Sequence, residues 1–319
     1  MTLTPSPPTL QQPPAPTSEP PSTAPQSRRT RRRGPTTTRR VGWLGAGLLG
    51  LVVLTAVLAP ILAPYDPTVM SAGDRLLPPV WSDGGSSTYL LGTDNLGRDI
   101  LSRLIYGTQL TLLVSGIATI IAAVLGTALG LLCGYRAGSW IDAIVMRIVD
   151  ASMAIPNILL VLVVVGALGT SATTLTLILG ITGWIPFTRM IRSEVLSLRE
   201  RDYVRAAHAI GLRDTTIVFK HILPNVAATI IVLATLAFGG NIVLEASLSF
   251  LGLGIQPPQV TWGYMLNEGR DYLATAWWIS TFPGIAITLT VLGVLFTGDW
   301  LRDVLDPRGS TRRTGRKEA

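Results

Sequence analysis

Between Arg189 and Pro224 the chain sets a polar, basic stretch, RMIRSEVLSLRERDYVRAAHAIGLRDTTIVFKHILP, between two apolar runs. The chemistry on offer is recognition rather than bond-making. A helix is expected over Arg199–Ile210, where Tyr203, Ala207 and Ile210 share one face at i, i+4, i+7 spacing and Arg201, Arg205 and His208 lie elsewhere. Gly211 follows at the place where a left-handed helix end needs no Cβ. Asp214 is positioned to cap a second short helix reaching Phe219, and Pro224 marks its end before the next apolar run. Two short helices at a sharp angle, with Ala206 and Ala207 near the elbow, make a compact knob whose backbone a partner's groove can approach. The plain physical alternative is an amphipathic loop lying on lipid headgroups.

Material for other chemistry is scarce. His208 and His221 are the two histidines and Cys133 the single cysteine, which leaves no cluster for a transition metal and no internal disulfide. Neither lysine, Lys220 or Lys317, stands in a G-x-x-x-x-G-K-[ST] phosphate loop, so the chain is not expected to hydrolyse ATP itself. Gly45, Gly47 and Gly50 match the dinucleotide pattern G-x-G-x-x-G. They sit in an apolar run with no preceding strand, so the match reads as chance and helix packing.

The elements that must position the loop are membrane spans. Of 319 residues, 48% are hydrophobic and 14% charged, too apolar for an ordinary soluble domain. Apolar runs of about the length needed to cross a bilayer cover 41–63, 109–134, 151–169, 173–188, 225–244 and 277–297. The expected architecture is an all-α polytopic membrane protein of six transmembrane helices. Residues 1–40, rich in Pro, Thr and Ser and ending in arginines, read as a disordered tail whose basic end touches anionic lipid. An export signal or nucleic-acid patch is the weaker reading of those arginines, since the next apolar run is too long for a signal core. Residues 41–108 are expected to hold the first span and an extracytoplasmic segment, 109–304 the core transmembrane domain, and 305–319 a second tail.

Orientation follows from the basic residues of the short loops. With the amino terminus inside, 21 of the 26 Lys and Arg residues fall in inner segments, and four, Arg75, Arg98, Arg103 and Arg270, in outer ones. The asymmetry places both termini and the 189–224 loop in the cytoplasm. Gly126, Gly130 and Gly134 make two small-xxx-small steps that let another helix approach the second span closely. Arg147 and Asp150 are expected as a local ion pair near the cytoplasmic start of the third span. Glu245 falls near the outer interface, where burial is not required, and is a candidate gate or receptor contact.

The loop, read with its neighbours, resembles the coupling loop of ABC importer permeases of the dipeptide/oligopeptide/nickel branch. The resemblance is carried by Arg201-Asp202-Tyr203-Val204, Ala206-Ala207, Gly211 and His221-Ile222-Leu223-Pro224-Asn225. Four further blocks are similar to the second membrane subunit of that branch: Leu91 to Asp99 with Ser102-Arg103, Met146-Arg147 with Asp150 and Pro156, Glu245 to Gly254 with Trp262-Gly263, and Gly298 to Pro307. Arg205 stands where the generic loop has Glu, and His221 where it has an aliphatic residue, so contacts of that glutamate are not carried over.

The resemblance implies a type I importer permease (MetI-like) fold in the bacterial plasma membrane. It implies a role as a non-enzymatic subunit that forms the pathway for dipeptides or oligopeptides, with nickel or another small solute as the alternative cargo. The implied partners are a paralogous permease, cytoplasmic ABC ATPase subunits and an extracytoplasmic substrate-binding protein. ATP and Mg would be bound by the ATPases and no cofactor by this chain. Docking would fall to Tyr203, Arg205, Ala206, Ala207, Gly211, Leu223 and Pro224. Two rivals remain on the residues alone. A secondary carrier would want acidic residues in mid-span or broken helices at the midplane, and no span carries a mid-span acid. A membrane scaffold would recruit a cytoplasmic protein through the same loop without moving cargo.

The arginine asymmetry gives a direct test. In a Cys133→Ser background, Ser197→Cys is expected to be protected from an impermeant thiol reagent in intact cells and Ser86→Cys to be labelled. Labelling at position 197 from outside would overturn the topology.

Overall fold

The computed structural model describes residues 35–305, with side chains from residue 41 onward. The expected tails therefore lie outside the described residues, except that the first helix already begins at Pro35, inside the stretch read as tail. Twelve helices follow one another: α1 Pro35–Val57, α2 Ala59–Leu62, α3 Ile100–Tyr135, α4 Trp140–Met153, α5 Asn157–Leu168, α6 Ala172–Thr182, α7 Trp184–Arg199, α8 Asp202–Ala209, α9 Asp214–Ile217, α10 Leu223–Phe250, α11 Trp262–Gly269 and α12 Trp278–Leu305. Among the described residues the only β pairing is an isolated bridge between Thr93 and Asp99.

Helix α3 is the spine of the bundle, packed against α7, α6, α10 and α1. Asp99 starts it: its Oδ2 accepts from the Ser102 backbone N–H at 2.8 Å and from Ser102 Oγ at 2.6 Å, satisfying a donor the first turn would otherwise leave free. The glycines at 126, 130 and 134 form a stripe at four-residue spacing, and Phe187, Ile191 and Val195 of α7 run along it at the same spacing. A Cβ on Gly130 would stand 2.8 Å from the Ile191 Cβ, and one on Gly134 2.6 Å from the Val195 Cβ. The close approach expected of small-xxx-small steps is therefore present, and its partner is α7.

Four of the six expected spans have a helix, or helices in direct succession, long and apolar enough to cross a bilayer: Ile100–Tyr135, Ala172–Arg199, Asp214–Phe250 and Trp278–Leu305. In the place of the first stands the shorter apolar stretch Val41–Val57. The third differs most. Instead of a straight helix over 151–169, α4 and α5 meet at 91° across Ala154, Ile155 and Pro156. Pro156 lacks the N–H that would continue the ladder and disfavours helical geometry at Ile155. The fourth runs on past its expected end into α7, with one interruption at Gly183.

At the end where α3 begins and α10 ends, the segments 63–99 and 251–277 fold over the bundle as a cap. Its centre is a buried quartet of charges. Arg98 pairs with Asp94 at 2.6 Å and with Glu268 at 2.5 Å, and Arg103 pairs with the same two carboxylates, reaching Glu268 at 2.5 Å. Trp262 Nε1 donates to the Leu104 carbonyl at 2.9 Å and Trp278 Nε1 to the Thr93 carbonyl at 3.0 Å, tying the later helices to the same block. At the opposite end, Arg192 of α7 makes a bidentate pair with Asp142 in the first turn of α4, at 2.6 and 2.8 Å. The local pair expected between Arg147 and Asp150 does not form among the described residues, and both side chains are exposed.

The stripe predicts an asymmetry between glycines. Gly130→Leu overpacks the α3–α7 contact, a change that typically costs about 1–3 kcal/mol, whereas a Cβ on Gly47 meets nothing within 4 Å. In detergent the first variant is expected to unfold several degrees lower than the parent and Gly47→Leu at the parent's temperature. Equal midpoints would remove the stripe from the packing argument.

Candidate functional site

The knob is built as two helices, but their joints differ from the expected ones. Helix α8 closes at Ile210 with Gly211 at φ +79°, and the N–H groups of Gly211 and Leu212 return to the carbonyls of His208 (2.9 Å) and Ala207 (3.2 Å). This is a Schellman end, and it requires the left-handed residue that the position of Gly211 implied. The second short helix, α9, does not stop at Pro224. It passes through a π-helical turn, Val218–Ile222, straight into α10, with Pro224 in that helix's first turn, where no N–H is missed. Asp214 makes no cap: Arg213 holds the cap position without a side-chain bond, and Asp214 Oδ1 accepts from the Tyr135 hydroxyl at 2.7 Å. The same hydroxyl lies 3.0 Å from His208 Nε2, with the two rings stacked 6.0 Å apart. The last residue of α3 thus clamps both halves of the knob.

Burial divides the candidate docking residues. Tyr203, Arg205, Ala206, Gly211 and Pro224 are exposed and Leu223 is half-buried. Ala207 is 5% exposed and packs inward with Val204 against Ile191, Val195, Leu198, Ile217, Ile222 and Val226. Ala207 therefore belongs to the knob's own core and is not on its outer face in this conformation. Ile210, expected on the same face as Ala207, is 76% exposed, because the Schellman turn swings it clear of the bundle. The exposed residues of α8 and its end are Asp202, Tyr203, Arg205, Ala206, His208, Ala209 and Ile210, small and apolar groups interspersed with charged and polar ones.

Glu245 corrects a second expectation. It lies in the last turns of α10, fully buried, where Oε1 accepts from Ser249 Oγ at 2.8 Å and Oε2 has no hydrogen-bond partner among the described residues. Helix α11 covers it: the α-carbon of Gly263 sits so close to Ala246 and Ser249 that a Cβ there would lie 2.6 Å from the Ala246 Cα. A direct contact between Glu245 and another protein is closed off in this arrangement. The charged quartet is not foreseen from the sequence, in which Arg98 and Arg103 stand as charges of an outer loop. The Asp94-x-x-x-Arg98 spacing was visible, but Glu268 is 170 residues away from Arg98. Burial opposes the Arg98 charge, yet Asp94 and Glu268 outweigh it and hold the guanidinium above its ordinary pKa.

Comparison with known proteins supplies the context for these parts. The family described as "Binding-protein-dependent transport system inner membrane component" matches residues 126–310. "N-terminal TM domain of oligopeptide transport permease C" matches residues 38–79. A di/tripeptide transport system permease protein of Pseudomonas aeruginosa is 42% identical over 261 residues, covering 81% of this chain and 85% of that one. A glutathione transport system permease protein of Pectobacterium atrosepticum is 41% identical over 266 residues, covering 83% and 86%. Among solved structures, inward-facing MetNI, a methionine ABC transporter, superposes with a TM-score of 0.52 at 20% identity, covering 64% of this chain and 97% of that one. That likeness establishes the MetI-like fold.

The division of the knob is testable on the isolated chain. Ala207→Glu places an unpaired carboxylate in an apolar cluster, where loss of several kcal/mol is typical. It is expected to lower the unfolding midpoint, whereas Ala206→Glu, on the exposed side, is expected to leave it in place. The reverse order would mean that the knob is turned the other way.

Proposed function

The chain belongs to the binding-protein-dependent transport system inner membrane component family, and from that premise we propose that it forms half of the pathway by which short peptides enter the cell. As a family member it is a multi-pass membrane component of an ABC importer, a transport subunit rather than an enzyme. The partners in this reading are a paralogous permease, two cytoplasmic ATPase subunits that carry ATP and Mg, and an extracytoplasmic binding protein that delivers cargo. Both termini and the knob face the cytoplasm, as the basic residues favour.

The observation that carries the reading is the knob itself. Its outer face offers Tyr203, Ala206 and Ile210 together with the exposed Asp202 and Arg205, and its core is tied to α3 and α7 through Val204, Ala207 and Tyr135. A partner gripping that face pulls on the bundle and not on a loose loop. ATP closes the ATPases, the knobs of the two permeases are drawn together, and the helices rock as rigid bodies between inward- and outward-open states. Glu245, sealed under α11, belongs in this scheme to the gate at the far end rather than to the receptor contact. Peptides are favoured as cargo because the relatives are named for di/tripeptides and glutathione.

The test is reconstitution of all subunits in vesicles with ATP inside the compartment that the knob faces. Uptake of a radiolabelled dipeptide is expected, and so is its loss on Ala206→Glu or Ile210→Glu together with loss of bound ATPase during purification. Arg213→Ala is expected to be mild. Uptake of a nickel chelate without peptide uptake would change the cargo; full uptake by both knob variants would remove the docking role.

A further inference from the structure

Two of the spans are broken, and the breaks face one another. The right-angle joint at Ala154–Pro156 and the interruption at Gly183 open on one cavity of about 960 Å³. The joint before α5 leaves the first-turn amides of that helix without a side-chain cap, and backbone that lipid cannot satisfy persists in an apolar bundle where it lines a wet space. The volume falls in the range of small-molecule sites. Ser152, Asn157 and Ser193 line it, and their side chains make no hydrogen bond to other described residues.

One charge lies in this cavity, on Arg189. Its guanidinium reaches the Met153 sulfur at 3.0 Å and has no carboxylate within salt-bridge distance among the described residues. The contrast with Arg192, one turn along the same helix, is pointed: that guanidinium is fully matched by Asp142. The Arg189 side chain is exposed; an arginine keeps its charge at any physiological pH, and its planar fork presents donors that fit a carboxylate in two parallel hydrogen bonds. A guanidinium with no carboxylate partner among the described residues shares this cavity with amide and hydroxyl groups that are free to meet a ligand, and together they can take an anion.

We propose that Arg189 is the cargo-carboxylate site of the pathway, taking the C-terminal carboxylate of a short peptide while Asn157 and Ser193 meet its amide groups. The proposal rests on the peptide-import reading. A phospholipid headgroup offers the same kind of anion, and the test separates the two sources.

The permease pair with its ATPases, nucleotide-free and without receptor, is placed in lipid nanodiscs and exposed to a photoreactive dipeptide as the free acid or the C-terminal amide. For the parent, the free acid is expected to label the complex about ten- to hundredfold more efficiently than the amide, the range of a charge-assisted pair. Arg189→Ala is expected to bring the acid down to the amide's level, and Arg189→Lys to restore part of the difference. Equal labelling by acid and amide in the parent, or an unchanged ratio in Arg189→Ala, overturns the proposal. So does loss of a bound phospholipid from Arg189→Ala in native mass spectrometry with the acid-to-amide ratio intact, which assigns the site to a headgroup. Unfolding midpoints of the variants control for misfolding. If the complete parent system imports no peptide, the import reading fails separately, and the acid-to-amide ratio still decides the role of Arg189.

Discussion

Four charges that sum to zero hold the cap together. Asp94, Arg98, Arg103 and Glu268 are almost entirely withdrawn from water, and each guanidinium touches both carboxylates. Withdrawing an ion from water costs several kcal/mol even after relaxation, so such a group persists only when every member is matched. Matching is also what specifies geometry. The segment before α3 and the segment after α10 must meet at one place and angle, or two charges are stranded. Asp99 starting α3, Trp262 reaching Leu104 and Trp278 reaching Thr93 all follow from that placement. A set of apolar helices that slide easily against lipid and one another thereby acquires a fixed register at one end.

The other end is fixed differently. There the Asp142–Arg192 pair and the Tyr135 hydroxyl each join two elements, while the glycine stripe of α3 lets α7 come near enough for its backbone to matter. Packing carries the middle and polar contacts the ends. The break at Gly183 lies against α3, where a Cβ would stand 3.0 Å from that of Ala122, while the joint at Ala154–Pro156 lies among exposed residues.

What could be read from residues in order was local. The helix of the knob, the left-handed Gly211 and the close approach along Gly126, Gly130 and Gly134 each depend on spacing within one or two turns, and each is present. What was missed depends on tertiary context. An apolar run over 151–169 satisfies length and composition whether straight or bent, and Pro156 alone does not say how sharply. Periodicity grouped Ala207 with Tyr203 and Ile210 but held no information on which of them turns inward, since an alanine suits a core and a surface equally. Asp214 looked like a cap because its partner, the Tyr135 hydroxyl, arrives from 79 residues earlier in the chain. Glu245 looked like an interfacial charge because nothing in its neighbourhood announces that α11 folds back over it.

The run from Asp214 to Phe250 is a single rod of 37 residues, roughly 55 Å at the rise of an α-helix. One end is the knob and the other carries Glu245 beneath α11. Partway along it, Asn241 Nδ2 donates to Thr119 Oγ1 of the spine helix at 3.0 Å, and Gly239 lies against Val294 of α12. A stiff bar resting on a fulcrum inverts motion: a nudge of its foot toward the molecular axis carries its head away. In the rocking scheme proposed for this subunit, the Asn241–Thr119 contact would be the fulcrum and the π-helical turn at Val218–Ile222 the joint through which the nudge enters. In that scheme one long helix, pivoting partway along, makes one face of the molecule spread while the other face narrows.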